Sequence, residues 1–263
     1  MATLRISDIH VGYPRKKVIT GLTLPPLISG EVTVLTGPNA AGKSTLLRAL
    51  AGLLRIKGSI RYEDQELTTL SAQKRATIVS FMPQSVPTDI NLSVMEAVIS
   101  ALKASPLDAA SSSNEHLHQR AVAVLERIGI SHLALEPLSQ LSGGQRQLAS
   151  LARSVVREPN VLLLDEPTSA LDLRHQLKVM RLARSFAQDG RIVVMVLHDL
   201  NLALRWADQA IVMDKGALVS QGQPTAAITP AVVEQVYGVR VRVENCSLGL
   251  PNLIVDGELQ QPI

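Results

Sequence analysis

A glycine-rich segment at residues 37–45, called the phosphate loop below, combines a lysine with two hydroxyl side chains. Its members are Gly37, Pro38, Asn39, Ala40, Ala41, Gly42, Lys43, Ser44 and Thr45. The spacing G-x-x-x-x-G-K-S lets backbone N–H groups curve around phosphate oxygens, while the helix that follows adds the positive end of its dipole. We expect Lys43 to reach the β- and γ-phosphates of a nucleotide and Ser44 to ligate Mg²⁺. A glycine-rich turn that occurs by chance is the alternative.

Two carboxylates, Asp165 and Glu166, directly follow an apolar run at residues 161–164. Phosphoryl transfer needs neutralised phosphate charge and an oriented nucleophile. At the end of a buried strand, Asp165 can hold a magnesium ion and Glu166 can face an attacking water. The alternative is a strand followed by an acidic turn.

A third segment, residues 141–145, reads LSGGQ and is called the signature segment below. It precedes an amphipathic pattern that predicts a helix to about residue 157. Ser142 and Gln145 match a helix capping box, which is a purely structural explanation. Gly143 and Gly144, however, each cost close to 1 kcal/mol relative to alanine inside a helix. This cost predicts that the backbone approaches another group, and a phosphate at the helix N-terminus is the natural candidate.

The pattern of apolar residues predicts the strands and helices that would position these residues. Runs at residues 32–35, 161–164 and 192–197 are each followed by a turn and a helix-like stretch, which indicates a parallel sheet covered on both faces and an α/β fold. Between residues 84 and 159 helical spacing dominates, at 94–102 and 121–130, so a helical insert is predicted there. A mobile surface loop is predicted within it, at 105–115.

The C-terminal part is predicted to contain a helix around residues 229–237. Two short strand-like runs follow, at 239–243 and 253–255, on either side of a turn-rich stretch.

Composition limits the class of protein. The chain has 263 residues, of which 46% are apolar and six are aromatic, so a core of Leu, Val, Ile and Ala is expected. So few rings argue against a stacking reader of single-stranded nucleic acid, and a formal charge of +3 gives no support for a nucleic-acid partner. Its single cysteine excludes a disulfide framework and a multi-cysteine zinc site. Without a secretory signal or a window of roughly 20 apolar residues, a soluble intracellular protein is expected.

The phosphate loop, the signature segment and the Asp-Glu strand, in this order, resemble the ATP-binding-cassette ATPases over essentially the whole chain. The resemblance implies a P-loop NTPase (RecA-like) parallel-sheet core with an N-terminal antiparallel β subdomain and an inserted α-helical subdomain. It implies a single cassette of two lobes, the first formed by about residues 1–84 and 159–263 and the helical one by about 85–158.

The same resemblance assigns further residues to the site. It implies that Gln84 contacts Mg²⁺ and the attacking water, that His198 contacts the γ-phosphate, and that Tyr13 stacks on adenine. Residues 169–172 match the D-loop of the family, which places Asp172 near the nucleotide. Ala40 departs from the family pattern, where glycine is common; alanine is expected to be tolerable there unless the position needs a positive φ.

The resemblance also implies partners. A head-to-tail pair of chains would enclose two ATP molecules, with the partner's signature segment closing over the γ-phosphate held by the phosphate loop. Glu166 would polarise the water, Gln84 and His198 would position it, and Ser44, Gln84 and Asp165 would hold Mg²⁺. Separate permease subunits would dock in a groove beside Gln84 and would act with a substrate-binding protein, so the chain would lie at the cytoplasmic side of the inner membrane.

Three segments, at residues 169–176, 198–203 and 236–239, resemble the importers of iron(III)-siderophores, haem and vitamin B12. One departure is the stretch at 100–106, where that group usually shows a Gly-Arg-aromatic-Pro segment. Import of an iron(III)-siderophore is therefore the favoured interpretation, with other metal-chelate, haem, cobalamin or metal-ion importers as the alternative. A non-transport ATPase acting on nucleic acid is the alternative from a different class.

Overall fold

A computed structural model describes residues 1–14, 16–84, 92–104, 113–169 and 171–258. The strands are β1 (Thr3–Tyr13), β2 (Lys16–Ile28), β3 (Val32–Thr36), β4 (Lys57–Tyr62), β5 (Gln65–Glu66), β6 (Val79–Met82), β7 (Val161–Leu164), β8 (Ile192–Val196), β9 (Gln209–Asp214), β10 (Ala217–Gly222), β11 (Val239–Asn245) and β12 (Pro251–Glu258). The helices are α1 (Lys43–Leu50), α2 (Ala72–Ile78), α3 (Val94–Lys103), α4 (Asn114–Ile128), α5 (Gly143–Val155), α6 (Leu173–Gln188), α7 (Leu200–Trp206), α8 (Pro224–Ala227) and α9 (Pro230–Tyr237), with 3₁₀ turns at Ser131–Leu133 and Leu138–Gln140.

The central sheet has six strands in the order β10-β9-β3-β8-β7-β6. All neighbours pair in parallel except β10 with β9. A second, antiparallel sheet near the N-terminus has the order β2-β1-β4-β5, and β11 pairs with β12 in a C-terminal hairpin. The predicted fold class, a parallel α/β core with an N-terminal antiparallel sheet and helical segments, is confirmed.

Both faces of the parallel strands are buried, as their continuous apolar runs predict. Along β7, Leu162 and Leu164 belong to the hydrophobic cluster that also contains α3 to α6. Val161 and Leu163 point to the opposite cluster, which joins α1 to the antiparallel sheet. This two-residue alternation sandwiches the central sheet between a helical layer and a β layer. Among the described residues, Phe186 is the one aromatic side chain in the buried core, which otherwise consists of aliphatic side chains and methionine.

The starts of α4 and α1 differ from the predictions, and the C-terminal strands β11 and β12 are longer than predicted. The helix predicted at 121–130 begins earlier, at Asn114, because the Ser113 hydroxyl accepts a hydrogen bond from the backbone N–H of His116 and caps α4. The last two residues of the predicted loop at 105–115 are therefore helical, while residues 105–112 lie outside the described part. The helix that was expected to follow the phosphate loop is α1, which starts inside the loop, at Lys43, immediately after Gly42.

The predicted lobe boundaries near residues 84 and 159 stay predictions. In the described residues, no helix is long and apolar enough to cross a bilayer.

Candidate nucleotide-binding site

The sheet brings the predicted site residues to one edge. The strands β3, β6, β7 and β8 run parallel, so their carboxyl ends open on the same side, which is where open α/β sheets bind ligands. The phosphate loop follows β3, Gln84 follows β6, Asp165 and Glu166 follow β7, and His198 follows β8.

A cavity of about 250 Å³ lies at this edge and is called the nucleotide cavity below. Ten of the predicted site residues line it: Tyr13, Asn39, Ala40, Ala41, Gly42, Lys43, Ser44, Thr45, Glu166 and His198. Two further residues, Lys16 and Val18, line the cavity without having been predicted from the sequence. Both belong to β2, and nothing in their local sequence distinguishes them from other strand residues.

The backbone of the phosphate loop has positive φ values at Gly37 and Ala40. At Gly37, φ is +143°, and a Cβ atom there would lie 2.0 Å from the carbonyl oxygen of Met213 in β9, so any side chain would collide with the neighbouring strand. Ala40 has φ +64°, in the left-handed region that disfavours residues with a Cβ atom. The expectation that alanine is tolerable here carried the condition that no positive φ is required. Since the structure requires one, alanine is strained at this position.

Lys43 is buried at the first position of α1. Its ammonium donates hydrogen bonds to the carbonyl oxygens of Gly37 over 2.7 Å and Pro38 over 2.8 Å, and so fixes the curve of the loop. Burial lowers the pKa of Lys43, although nearby Glu166 and Asp165 oppose the effect. Because α1 begins without a side-chain cap, its first N–H groups are not taken up by a side chain. A partly desolvated cation and a helix N-terminus together favour an anionic ligand.

Ser44 and Asp165 bring two side-chain oxygen groups together below the loop. The Ser44 hydroxyl donates to Oδ1 of Asp165 over 2.7 Å. Asp165 is fully buried, and its Oδ2 has no hydrogen-bond partner among the described residues. Desolvation raises the pKa of this carboxyl group, even though the hydrogen bond from Ser44 lowers it. A buried carboxylate oxygen without a partner, beside a hydroxyl oxygen, fits the preference of Mg²⁺ for hard oxygen ligands.

Glu166 lies between the two other predicted catalytic residues. Its Oε2 accepts a hydrogen bond from Nε2 of Gln84 over 2.5 Å, and its Oε1 lies 2.6 Å from Nε2 of His198. The backbone of Glu166 is also held, since the Ser169 hydroxyl donates to its carbonyl oxygen over 3.0 Å. The structure therefore brings together three side chains that are separated by up to 114 positions along the chain, Gln84 to His198. A carboxylate held on both oxygens presents a fixed acceptor for a water molecule.

Tyr13 is the last residue of β1 and borders the cavity with a half-exposed ring. Its hydroxyl accepts a hydrogen bond from Nη1 of Arg48 over 3.4 Å. The sequence analysis did not anticipate this contact, because Arg48 reads as an ordinary exposed residue of α1.

The signature segment and Asp172 do not line the nucleotide cavity of the same chain. Ser142 and Gln145 form both hydrogen bonds of a capping box at the start of α5, which confirms the structural part of that interpretation. Asp172 caps α6 and accepts from the backbone N–H of His175, a contact that lowers the pKa of Asp172. The His175 ring of α6 also lies against Gly144, so the signature segment contacts the helix that the D-loop precedes. Ala170 of the D-loop lies outside the described residues.

Tyr237 is a positioning residue that the sequence analysis did not assign to the site. Its hydroxyl lies 2.9 Å from Oγ1 of Thr36, the residue that precedes the phosphate loop, and it also bonds to the backbone of Gly37. Burial raises the pKa of Tyr237. In the sequence, residues 236–239 stand out only through a family resemblance. Because Tyr237 lies 201 positions from Thr36, no local pattern indicates their contact.

A family model described as "ABC transporter" matches residues 26–169. A hemin import ATP-binding protein, HmuV, of Photobacterium damselae subsp. damselae is 35% identical over 246 residues, covering 91% of both chains. The protein of the same name from Pseudomonas fluorescens is 38% identical over 247 residues, covering 92% of this chain and 94% of the relative. Among solved structures, an inward-facing conformation of a protein assigned to the metal-chelate type of ABC transporter has a TM-score of 0.83 and 25% identity, covering 97% of this chain and 98% of that one.

Proposed function

Because this chain belongs to the ABC transporter family, we propose that it powers the import of haem through separate membrane subunits. The chain is an ATPase whose hydrolysis is coupled to transport, and it fits the siderophore, haem and vitamin B12 importer group. Haem as the cargo is supported by relatives named for hemin import that align along more than 90% of the chain.

The observation that supports the catalytic part of the proposal is the position of Glu166. In the reaction, the oxygen of water bonds to the γ-phosphorus while the bond to the β,γ-bridging oxygen breaks, which releases ADP and phosphate. Glu166 orients this water and accepts a proton from it, and Gln84 and His198 fix the carboxylate from its two sides.

The remaining residues hold the substrate. Lys43 and the N–H groups at the start of α1 bind the β- and γ-phosphates, and Tyr13 stacks on the adenine. Mg²⁺, when bound, neutralises charge on the phosphates. Ser44, Asp165 and Gln84 would hold the ion.

A second copy of the chain completes the site. Since the signature segment and Asp172 lie away from the nucleotide cavity of their own chain, we assign them to the γ-phosphate side of a partner's ATP in a head-to-tail pair. The exposed backbone at Ser142 and Gly143 is open to such an approach: a Cβ atom on Gly143 would meet no described atom within 4 Å. ATP binding would then bring the two chains together, and hydrolysis would separate them.

A groove of about 500 Å³ between α1, β6, α3 and α5 is the proposed docking site for the permease. Pro83, the neighbour of Gln84, lines it together with Phe81 and Leu53, and Leu53 is 61% exposed. The groove lies beside Gln84, whose side chain contacts Glu166, so a membrane subunit that docks there would be separated from the catalytic carboxylate by a single side chain. Under this proposal the chain would lie at the cytoplasmic face of the membrane, and a substrate-binding protein would act on the other side.

Import of an iron(III)-siderophore is the second candidate. It is supported by the resemblance of residues 169–176, 198–203 and 236–239 to the group of importers that takes up iron(III)-siderophores, haem and vitamin B12, and by the likeness to a transporter of the metal-chelate type. The two candidates differ only in the cargo, which the membrane and binding subunits select.

The test is iron-limited growth of a strain that lacks this chain, with either hemin or a ferric siderophore as the iron source. We expect wild-type protein to restore growth on hemin, and Glu166→Gln to fail while still binding ATP. The matched control, Glu126→Gln, changes an exposed glutamate of α4 and should restore growth fully. Restoration on the siderophore alone would replace haem with the second candidate, and growth indifferent to both sources would contradict iron-chelate import.

A further inference from the structure

A second cavity, of about 700 Å³, lies between α6 and the segment that connects α4 to α5, and is called the α6 cavity below. It shares no lining residue with the nucleotide cavity. Four of its apolar lining residues belong to the buried core and are at most 9% exposed: Ile130, Leu133, Leu148 and Leu182. A ligand there would therefore meet one exposed apolar side chain, Leu177, and otherwise polar and charged groups.

The helix α6 carries four arginine or lysine side chains and no aspartate or glutamate. Three of them, Arg174, Lys178 and Arg181, lie at spacings of four and three residues, on one face of the helix and in the wall of the α6 cavity. The fourth, Arg184, does not line the cavity and pairs with Asp208 over 2.5 Å. Like charges one helical turn apart repel each other, so the cavity face of α6 is unfavourable for the helix itself.

The positive charge on this wall has no carboxylate partner among the described residues. Arg174 and Arg181 are exposed and form no ion pair with any described carboxylate. Lys178 donates a hydrogen bond to an uncharged group, the carbonyl oxygen of Gly129, over 3.1 Å. Burial and the charge of Arg174 lower the pKa of Lys178. Three neighbouring cations without a counter-charge create a positive potential that favours an anionic ligand.

The remaining ionisable side chains of the α6 cavity do not supply a negative charge. Arg127 and His175 line the cavity and are paired with carboxylates outside it, Asp189 over 2.6 Å and Asp172 over 2.8 Å. His132 is the only other ionisable residue in the described lining. Every ionisable side chain that lines the cavity is therefore a cation or can become one, and an anion would meet no repelling carboxylate there.

The spread of the cations determines what kind of anion fits. At a rise of 1.5 Å per residue, Arg174 and Arg181 are about 10 Å apart along the helix axis. A single phosphate can reach only part of this row, whereas a chain of phosphates carries negative charge along its whole length. Arginine binds phosphate through two parallel N–H···O hydrogen bonds, and lysine binds it as a point charge.

We propose that the α6 cavity is a binding site for an oligophosphate, either the inorganic chain or the phosphate chain of a nucleotide. The phosphates would lie along α6 and pair with Arg174, Lys178 and Arg181. This site is additional to the proposed function, which uses the nucleotide cavity alone.

An occupant of the α6 cavity would lie beside the signature segment, because Gln145 lines the cavity and the ring of His175 lies against Gly144. Under the proposed function, on which this step rests, the signature segment approaches the γ-phosphate of a partner's ATP. Since like charges repel, a bound oligophosphate would oppose that approach and lower ATP turnover.

The experiment is isothermal titration calorimetry of the purified full-length chain with inorganic tripolyphosphate. This probe can also enter the nucleotide cavity, so two variants separate the sites. Arg174→Gln/Arg181→Gln should weaken binding at the α6 cavity at least tenfold, and Lys43→Ala, which removes the cation of the phosphate loop, should retain it. Arg5→Gln/Arg240→Gln, an equal loss of charge at exposed positions of β1 and β11, should bind as the wild type does.

The melting temperature of Arg174→Gln/Arg181→Gln should not fall below that of the wild type, because the substitutions remove repulsion. Equal titrations of this variant and the wild type, or equal losses in the two double arginine variants, would overturn the proposal. Orthophosphate that binds as tightly as tripolyphosphate would also overturn it, because one phosphate would then suffice.

Titration of Lys43→Ala with ADP distinguishes the two sources of the phosphate chain. ADP binding that the two arginine substitutions abolish would assign the α6 cavity to nucleotides. Binding of tripolyphosphate without binding of ADP would assign it to the inorganic chain.

ATP hydrolysis tests the effect on the signature segment. Tripolyphosphate should inhibit the wild type more strongly than Arg174→Gln/Arg181→Gln, whose basal turnover should equal that of the wild type. Equal inhibition of both would contradict this effect. Since the calorimetry needs neither haem nor transport, a failure of haem uptake would contradict the proposed function alone, and a lack of tripolyphosphate binding would contradict the α6 site alone.

Discussion

His198 and Glu166 face each other across the carboxyl ends of β8 and β7, with 2.6 Å between Nε2 and Oε1. The contact is asymmetric, because 44% of the His198 side chain is exposed and only 12% of the Glu166 side chain is. The histidine therefore closes the solvent side of the carboxylate, and Gln84 holds the other oxygen. Removal of either partner should free Glu166 to leave the orientation that hydrolysis needs.

His198→Ala is expected to lower kcat for ATP hydrolysis by about 100-fold, the typical loss when one preorganised contact to a reacting group is removed. The affinity for ATP should stay close to that of the wild type, since Lys43 and α1 still bind the phosphates. His118→Ala, at an exposed position of α4, is the control. Unaltered kcat in His198→Ala would show that this contact does not position Glu166.

Asp165→Asn is expected to raise the melting temperature of the protein without magnesium and nucleotide. The folded state raises the pKa of Asp165, so the unfolded chain loses this proton at a lower pH than the folded protein does. Stability from this group therefore falls as pH rises from the ordinary pKa of aspartate, 3.8, through the raised value, and at neutral pH the buried charge is a net cost.

The same substitution should abolish the extra stabilisation that Mg²⁺-ATP confers. Thermal unfolding in a chelator and with Mg²⁺-ATP measures both effects, and Asp64→Asn, at an exposed position between β4 and β5, is the control. A lower melting temperature in the chelator would mean that the charged carboxylate stabilises the fold.

Ala40→Gly is expected to stabilise the chain. The left-handed conformation at φ +64° costs an L-residue roughly 1–2 kcal/mol, of which about 0.4–1 kcal/mol is offset by the greater freedom of glycine in the unfolded state. The net gain, about 0.5–1 kcal/mol, should appear in the free energy of unfolding measured with urea. Ala51→Gly, where φ is −70°, should instead destabilise the protein by about the same amount. A loss in both variants would exclude strain at Ala40.

Gly143→Ala should separate stability from function. Within one chain the position is open, so alanine should stabilise the first turn of α5 by up to about 1 kcal/mol. If a partner's phosphates approach this backbone, the same methyl group should reduce ATP-dependent dimerisation, measured by light scattering. Gly144→Ala, in contrast to Gly143→Ala, should lower the stability of the chain, because the added Cβ atom would lie 3.0 Å from the His175 ring. Normal dimerisation of Gly143→Ala would argue against a close approach at this residue.

Tyr237→Phe should weaken ATP binding by a fewfold and cost about 1 kcal/mol of stability, the ordinary worth of one hydrogen bond. The hydroxyl bonds to Thr36 and to the backbone of Gly37, so its removal loosens the first residue of the phosphate loop. Thr36→Val tests the same hydrogen bond from the other side. The two losses should be less than additive in the double variant. Full additivity would mean that the two side chains act independently.

The sequence predicts the central strands well because burial on both faces leaves continuous apolar runs, as at residues 192–196. It also predicts the residues at the strand ends, since Lys43, Ser44, Asp165 and Glu166 occur in short segments whose spacing is set by local backbone geometry. These features depend on neighbours within a few positions.

Features that depend on distant neighbours could not be predicted. The contact of Tyr237 with Thr36 arises from tertiary packing, and no local pattern encodes it. The positive φ at Ala40 is imposed by the curve of the loop against the residue's own preference. The sequence places the start of α4 too late, because Ser113 ends a serine-rich run that is typical of a loop. The Ser113 hydroxyl nevertheless caps the first turn of this helix.

The central position of β3 bears on the order of events when the protein is made. This strand lies between β8 and β9, whose residues leave the ribosome more than 150 positions later. At a synthesis rate of about 5–20 residues per second, the delay is roughly 10–30 seconds. During that time β3, which leads into the phosphate loop, lacks both of its neighbouring strands. The hydrogen bond between Thr36 and Tyr237 can form only later still. A nascent chain therefore carries the phosphate-binding sequence well before it can bind a nucleotide, and ATP can stabilise only chains in which β8 and β9 have already been made.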